Sequence, residues 1–157
     1  MLTLESFKLL NPKVAQVERS TGGTPDITFQ EVSDVLSRVT RQCSMFSRYL
    51  YGLDWTYEGR LVDAITDEMV RLDHRLRSPL LAQRKDWRSV ARMTLEMYRG
   101  SVWLTRRQKK FATDVNRWTR RHEEAHQKVR EMLDNWDYEL RCELGAWNKD
   151  ERERGNG

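Results

Sequence analysis

Residues Phe111–Trp136, FATDVNRWTRRHEEAHQKVREMLDNW, decide the fold that the sequence predicts. Apolar, aromatic and histidine side chains recur there at alternating spacings of four and three residues, at Phe111, Val115, Trp118, His122, Ala125, Val129, Met132 and Trp136. Such spacing places one side of a helix in a buried seam, while arginine and lysine occupy the other faces. The pattern predicts one long C-terminal helix that starts near Ser101 and continues through Trp147.

Three shorter helices are predicted before this long one. The first starts with a capping box formed by Thr28 and Glu31, and it ends near Gly52. The second covers residues 58–77, because the residue before Pro79 resists the helical conformation, and the third covers residues 85–98. No segment shows the two-residue alternation of a strand. The predicted fold class is therefore all-α, a small helical bundle with a long C-terminal helix and a mobile N-terminal arm.

The domain organisation follows from where this helical periodicity begins and ends. Residues 1–27 are interrupted by Asn11-Pro12 and by the segment 21–25, TGGTP, so we expect an extended N-terminal arm. Residues 28–147 form the predicted helical domain. Residues 148–157 carry charges and no apolar face, which predicts a disordered tail.

The composition limits the class of protein. The 157 residues suffice for one domain, 33% of them are charged, and the isoelectric point is about 9.2. No apolar run is long enough to span a bilayer, which favours a cytoplasmic protein without a membrane partner. Cys43 and Cys142 lie far apart and are interpreted as free thiols in the core or at its boundary, and the sequence predicts no cofactor.

The sequence His122-Glu-Glu-Ala-His126 matches the pattern of zinc proteases, in which two histidines four residues apart bind the metal. Arginine and lysine flank this pattern, and their charges would weaken the binding of a cation. The only nearby candidates for a third ligand, Glu139 and Glu143, fall on the same predicted helix. We therefore interpret the histidines as packing residues, and we expect neither a metal site nor an enzyme.

A basic band, defined as residues 99–130, contains ten cations and three anions. Such a band attracts the phosphates of nucleic acids, and it also occurs as a merely solubilising surface. A loose helix-turn-helix around the segment 99–101 is a weaker indication of DNA binding. The residues that we expect to contact nucleic acid are Arg99, Arg106, Arg107, Lys109, Lys110, Arg117, Arg120 and Arg121.

The N-terminal segment Leu4–Lys13, LESFKLLNPK, resembles the opening of the lambda-type phage late-gene antitermination protein Q family, which begins with Leu-Glu-Ser, a lysine and then Pro-Lys. The resemblance covers about the first third of the chain. The paired Cys-x-x-Cys zinc-binding elements of that family are absent here. The resemblance implies a protein that binds DNA at a late promoter, loads onto paused RNA polymerase and promotes read-through of terminators.

The sequence thus favours a non-catalytic transcription regulator of phage type, with DNA and RNA polymerase as partners and a second copy of the chain as a further candidate. The antiterminator is its expected form. An alternative is a helical interaction or assembly protein, either a phage inhibitor of a host complex or a virion component. Loss of DNA affinity with rising salt distinguishes the regulator from this alternative.

Overall fold

A computed structural model describes residues 1–13 and 29–155, and every regular element in these ranges is helical. The fold class predicted from the sequence, all-α with a long C-terminal helix, is confirmed for this part of the chain. None of its helices is both long and apolar enough to cross a membrane. The α-helices are α1 (Phe29–Ser37), α2 (Arg41–Leu50), α3 (Glu58–Asp73), α4 (Arg84–Gly100), α5 (Arg106–Thr113) and α6 (Arg120–Gly155).

The chain divides into two compact units, and the helical domain predicted for residues 28–147 contributes to both of them. The first unit consists of Met1–Tyr57 and Asn135–Gly157, and the second consists of Glu58–Asp134. Helix α6 contributes residues to both units. The basic band belongs to the second unit.

The extended arm predicted for residues 1–27 is wrong for residues 4–10, which form the 3-10 helix Leu4–Leu10. Leu2, Phe7 and Leu10 are buried in the core of the first unit, together with residues of α1 and α6. The reason is that Phe7 and Leu10, three residues apart, lie on the same side of a 3-10 helix and are therefore buried together. Residues 14–27 of the predicted arm, and Thr28 of the predicted capping box, lie outside the described residues.

The helix predicted from residue 28 to Gly52 is divided into α1 and α2 by a break at residues 38–40. Thr40 causes the break, because its hydroxyl accepts a hydrogen bond from the Cys43 amide (3.3 Å) and caps α2. The Glu139 carboxylate of α6 in turn accepts hydrogen bonds from the Thr40 amide (2.6 Å) and hydroxyl (3.0 Å). A threonine that bonds its own backbone in this way ends one helix and starts the next.

The disordered tail predicted for residues 148–157 is wrong as far as Gly155, where α6 ends. Asn148 is held by the first unit, since its side chain accepts from the Leu2 amide (2.9 Å) and donates to the Leu2 carbonyl (2.8 Å). Glutamate, lysine and arginine favour the helical conformation. Arg152 and Arg154 also lie in the last turn, where positive charge stabilises a helix end. Residues 156–157 lie outside the described part.

In the second unit, α3 packs on α4, and α3 ends at Asp73 rather than at the predicted residue 77. The Asp73 carboxylate accepts hydrogen bonds from the backbone amides of Leu80 (2.7 Å) and Leu81 (3.2 Å) and from the indole nitrogen of Trp87 (3.0 Å). Asp73 is therefore the residue that ties the α3–α4 connection to the core. The helix predicted over residues 85–98 is confirmed as α4.

The long helix predicted from Ser101 is wrong in its first part. Ser101 (φ 52°) and Asp114 (φ 56°) adopt the left-handed conformation that ends α4 and α5, and α6 starts only at Arg120. The predicted seam is consequently buried in α6 at Ala125 and Val129, whereas Phe111 is 67% exposed on α5. The predicted seam has helical spacing throughout, but the chain leaves the helical conformation between α5 and α6, so the seam does not lie on one helix.

Candidate nucleic-acid interface

Helix α5, sequence RRQKKFAT, carries three exposed cations of the basic band, Arg106, Arg107 and Lys110. Thr105 starts this helix through a capping box, because its hydroxyl accepts from the Gln108 amide (3.3 Å) while the Gln108 side chain accepts from the Thr105 amide (2.9 Å). Lys109 and Thr113, one turn apart, are buried. Helical geometry then directs the opposite side of α5 to the solvent.

The outward face of α5, defined as Arg106, Arg107, Lys110 and Phe111, is exposed to solvent. The Arg107 guanidinium carbon and the Lys110 ammonium nitrogen each lie 6.0 Å from the centre of the Phe111 ring. Cations within about 6 Å of a ring are attracted by its π electrons. The face therefore combines positive charge with one accessible aromatic ring.

The two arginines that start α5 oppose the electrostatics of their own helix. Arg106 and Arg107 occupy the first two positions, and the first turn contains no acidic residue. The start of a helix carries partial positive charge, so each cation there costs about 0.3–1 kcal/mol relative to the opposite end. The same arrangement raises the positive potential at this end of α5, which favours the binding of an anion.

Lys109, which the sequence predicts to contact nucleic acid, is instead buried and paired in the structure. Lys109 is only 7% exposed, and its ammonium nitrogen lies 2.7 Å from the Glu123 carboxylate. The other carboxylate oxygen of Glu123 accepts a hydrogen bond from the Trp118 indole (2.5 Å). Burial raises the pKa of Glu123, but the hydrogen bonds from Lys109 and Trp118 outweigh it and hold that pKa below its ordinary value. This ion pair links α5 to α6.

The remaining predicted contacts are divided between exposed and paired side chains. Arg117 is exposed in the connection between α5 and α6. Arg99 lies 3.9 Å from Glu58, and Arg120 lies 3.4 Å from Glu124. The Arg121 guanidinium donates to the Pro79 carbonyl (3.2 Å) and the Ser78 hydroxyl (3.3 Å). Arg106, Arg107, Lys110 and Arg117 are thus the predicted residues that remain most available to a polyanion.

Sequence reasoning missed one pair in the same unit. The Arg130 guanidinium carbon lies 3.9 Å from the centre of the Trp103 ring, and Trp103 is 48% exposed. Trp103 follows the end of α4, whereas Arg130 lies on α6. Because the two residues are far apart in sequence, no sequence pattern predicts their contact. Stacked guanidinium and indole groups form a flat surface that a nucleobase also fits.

His122, the first histidine of the zinc-protease pattern, forms part of the start of α6. Its Nδ1 accepts a hydrogen bond from the Thr119 amide (3.2 Å), and its ring lies 5.3 Å from the Trp118 ring. Burial lowers its pKa. Within the described ranges, no group of three or more His, Cys, Asp or Glu side chains is arranged to hold a metal ion. The geometry of His122 is that of a helix cap.

His126, the second histidine, is buried in the second unit against α4. Its Nδ1 lies 2.8 Å from the Thr94 hydroxyl, which itself donates to the Val90 carbonyl (2.7 Å). Nδ1 therefore carries the proton, because the hydroxyl has already used its own. Burial, together with the charge of Lys109, lowers the pKa of His126 to about 4.

The stability of the protein is expected to fall on acidification because of His126. Its imidazole has a pKa near 6.5 when unfolded and about 4 when folded, so the unfolded chain binds more protons between these values. The free energy of unfolding then decreases as the pH falls from about 6.5 to about 4, by up to about 3 kcal/mol.

Urea denaturation at a series of pH values measures this effect, and the contribution of His126 is the difference between the native protein and His126→Gln. The control is His74→Gln, because His74 is exposed on the α3–α4 connection. A His126→Gln variant with the same pH dependence as the native protein would contradict a neutral, buried His126.

Comparison of the chain with protein-family models, with curated proteins and with solved structures gives no match. The segment that carries the resemblance to protein Q is packed in the first unit, where Phe7 and Leu10 are buried. Asn11 of the same segment donates to the carbonyls of Gly52 and Leu53, both at 3.1 Å. In this protein the segment has a packing role.

Proposed function

We propose that the protein is a non-catalytic transcription regulator of phage type that binds DNA through the second unit. The observation that carries the proposal is the outward face of α5, where two arginines start the helix and the charged groups of Arg107 and Lys110 each lie 6.0 Å from the centre of the exposed Phe111 ring. Selection for stability alone disfavours cations at this helix end. A polyanionic partner supplies the compensating charge.

The finer form of the proposal is an antiterminator that also contacts RNA polymerase. It is supported by the resemblance of Leu4–Lys13 to protein Q and by the charge asymmetry of the C-terminal region, where residues 131–157 carry eight anions and four cations. An acidic region suits a protein surface rather than a nucleic acid. In such a mechanism the protein acts by position, since a small domain held beside the RNA exit path prevents a terminator hairpin from forming.

Binding to a mixed-sequence DNA duplex across a salt series tests the DNA-binding part. The logarithm of the binding constant is expected to fall linearly with the logarithm of salt concentration, with a slope of about 0.9 per neutralised phosphate. Four exposed cations predict a slope of about 3–4. Absence of DNA binding at low salt, both alone and with RNA polymerase, would contradict the proposal and favour the assembly protein.

The antiterminator part is tested by transcription with bacterial RNA polymerase through an intrinsic terminator. The expected result is an increase in full-length transcript when the protein is added to polymerase on a template that contains its promoter-proximal site. Purification of the tagged protein from phage-infected cells identifies whether polymerase accompanies it. DNA binding without polymerase association or read-through would leave a simpler DNA-binding regulator and contradict the antiterminator.

A further inference from the structure

Phe111 is the residue of the outward face of α5 that phosphate binding does not explain. Its ring is 67% exposed and lies beside the exposed cations Arg107 and Lys110. Phosphates require charge and hydrogen-bond donors, and a phenylalanine supplies neither. A large exposed ring among cations therefore indicates a ligand that presents both phosphates and flat apolar surface.

A nucleotide has both of these groups. Its base offers a π face, and its phosphate is attached to the same short unit. Arg107 and Lys110 place their charged groups 6.0 Å from the Phe111 ring centre, so that a base on the ring would bring its backbone towards both cations. Proteins that bind single strands combine aromatic side chains with a positive surface in this way.

The exposed face of a base distinguishes an unpaired strand from a duplex. In a duplex each base is covered above and below by its neighbours, and a protein reaches only the edges in the grooves. A phenylalanine has no hydrogen-bonding group with which to read those edges. An unpaired base, whose faces are exposed, can instead stack on the Phe111 ring.

Trp103 and Arg130 add a second aromatic surface in the same unit, with the guanidinium 3.9 Å from the ring centre. The tryptophan precedes the capping residue Thr105 of α5 and is about half exposed. Bases stack on indole rings and on guanidinium planes alike. The second unit therefore has two exposed aromatic surfaces, one in the segment before α5 and one on α5 itself, on which unpaired bases can stack.

We propose that α5 binds an unpaired strand of DNA, with one base stacked on Phe111 and the adjoining phosphates bound by Arg107 and Lys110. The choice of DNA rests on the proposed function, whereas the unpaired state rests on the exposed ring and its flanking cations. The site is a binding surface without a catalytic group. Its ligand class is a single-stranded polydeoxynucleotide.

Fluorescence anisotropy with a labelled mixed-sequence strand, its duplex and the RNA strand of the same sequence tests the proposal on the full chain. The native protein is expected to bind the DNA strand more tightly than the duplex. Phe111→Ala and Phe111→Leu are both expected to weaken strand binding about 5- to 100-fold, because both remove the π face. Phe111→Tyr keeps a ring and is expected to bind like the native protein.

The salt dependence separates stacking from charge. Phe111→Leu retains every cation, so its slope against the logarithm of salt concentration is expected to equal that of the native protein. Phe29→Ala, which removes an exposed ring from α1 in the first unit, is the matched control and is expected to change nothing. Circular dichroism of each variant verifies that the helical content is retained.

Three results would overturn the proposal. Duplex binding at least as tight as strand binding, with Phe111→Leu unchanged, would remove the stacking site while leaving the proposed DNA-binding function intact. Tighter binding of the RNA strand would show that the choice of DNA is wrong. Absence of binding to all three nucleic acids would contradict the proposed function itself, together with this inference.

Discussion

Replacing Asp73 with alanine is expected to lower the free energy of unfolding by about 3–5 kcal/mol. Asp73 is 3% exposed, and its carboxylate accepts hydrogen bonds from two backbone amides, those of Leu80 and Leu81, and from the Trp87 indole. Alanine leaves these donors without an acceptor in a region that excludes water. An unsatisfied buried donor costs about 1–3 kcal/mol, so the losses accumulate.

Urea denaturation followed by far-ultraviolet circular dichroism measures this loss. Asp67→Ala provides the control, because Asp67 lies on the same helix α3 but its side chain is 66% exposed in an ion pair with Arg84. A surface ion pair contributes about 0–1 kcal/mol, so little change is expected. Equal losses in the two variants would contradict the role assigned to Asp73.

Replacing Glu123 with alanine is expected to cost about 3–5 kcal/mol, because it leaves the buried Lys109 ammonium without its partner. The side chain of Lys109 is 9% exposed, whereas that of Glu123 is 33% exposed. This difference in burial predicts that removing Glu123 lowers the free energy of unfolding more than removing Lys109 does. Lys109→Met leaves a carboxylate that water still reaches and that the Trp118 indole still binds, so its loss is expected to be less than half as large.

The same denaturation measurement compares Glu123→Ala with Lys109→Met. A double variant, Lys109→Met with Glu123→Gln, retains an acceptor for the Trp118 indole and buries no charge, so it is expected to recover most of the stability lost in Glu123→Ala. Glu124→Ala is the control, since Glu124 is exposed and forms a surface ion pair with Arg120, one turn earlier on α6. A larger loss in Lys109→Met than in Glu123→Ala would show that the buried charge is not the cause.

The helical class was predictable from the sequence because side-chain spacing is a local property. Ala125 and Val129 on α6 are buried as their positions in the pattern predict. The breaks were not predictable by spacing. Thr40 and Thr105 each fit an uninterrupted helix, and only the hydrogen bonds that they make, to Cys43 and Gln108, end one helix and start another.

The burial of residues in the N-terminal arm and in the basic band was also not predictable from local spacing, because it depends on tertiary contacts. Leu2 and Phe7 lack a long periodic pattern, yet they are buried by residues of α6 from the far end of the sequence. Lys109 and Lys110 are adjacent and chemically identical, and only the capping of α5 decides that the first is buried and the second exposed. The charge total of the band was therefore predictable, whereas the set of available cations was not.

The difference between these two lysines tests the central claim, that the outward face of α5 binds DNA. Lys110→Met and Lys109→Met remove the same charge. Affinity for the DNA strand and for its duplex is measured from about 50 to about 200 mM salt, because each phosphate contact changes the affinity strongly in this range. Lys110→Met is expected to weaken binding and to reduce the slope by about 1, whereas Lys109→Met retains both the affinity and the slope of the native protein. Equal effects of the two substitutions, or an unchanged slope in Lys110→Met, would contradict the claim.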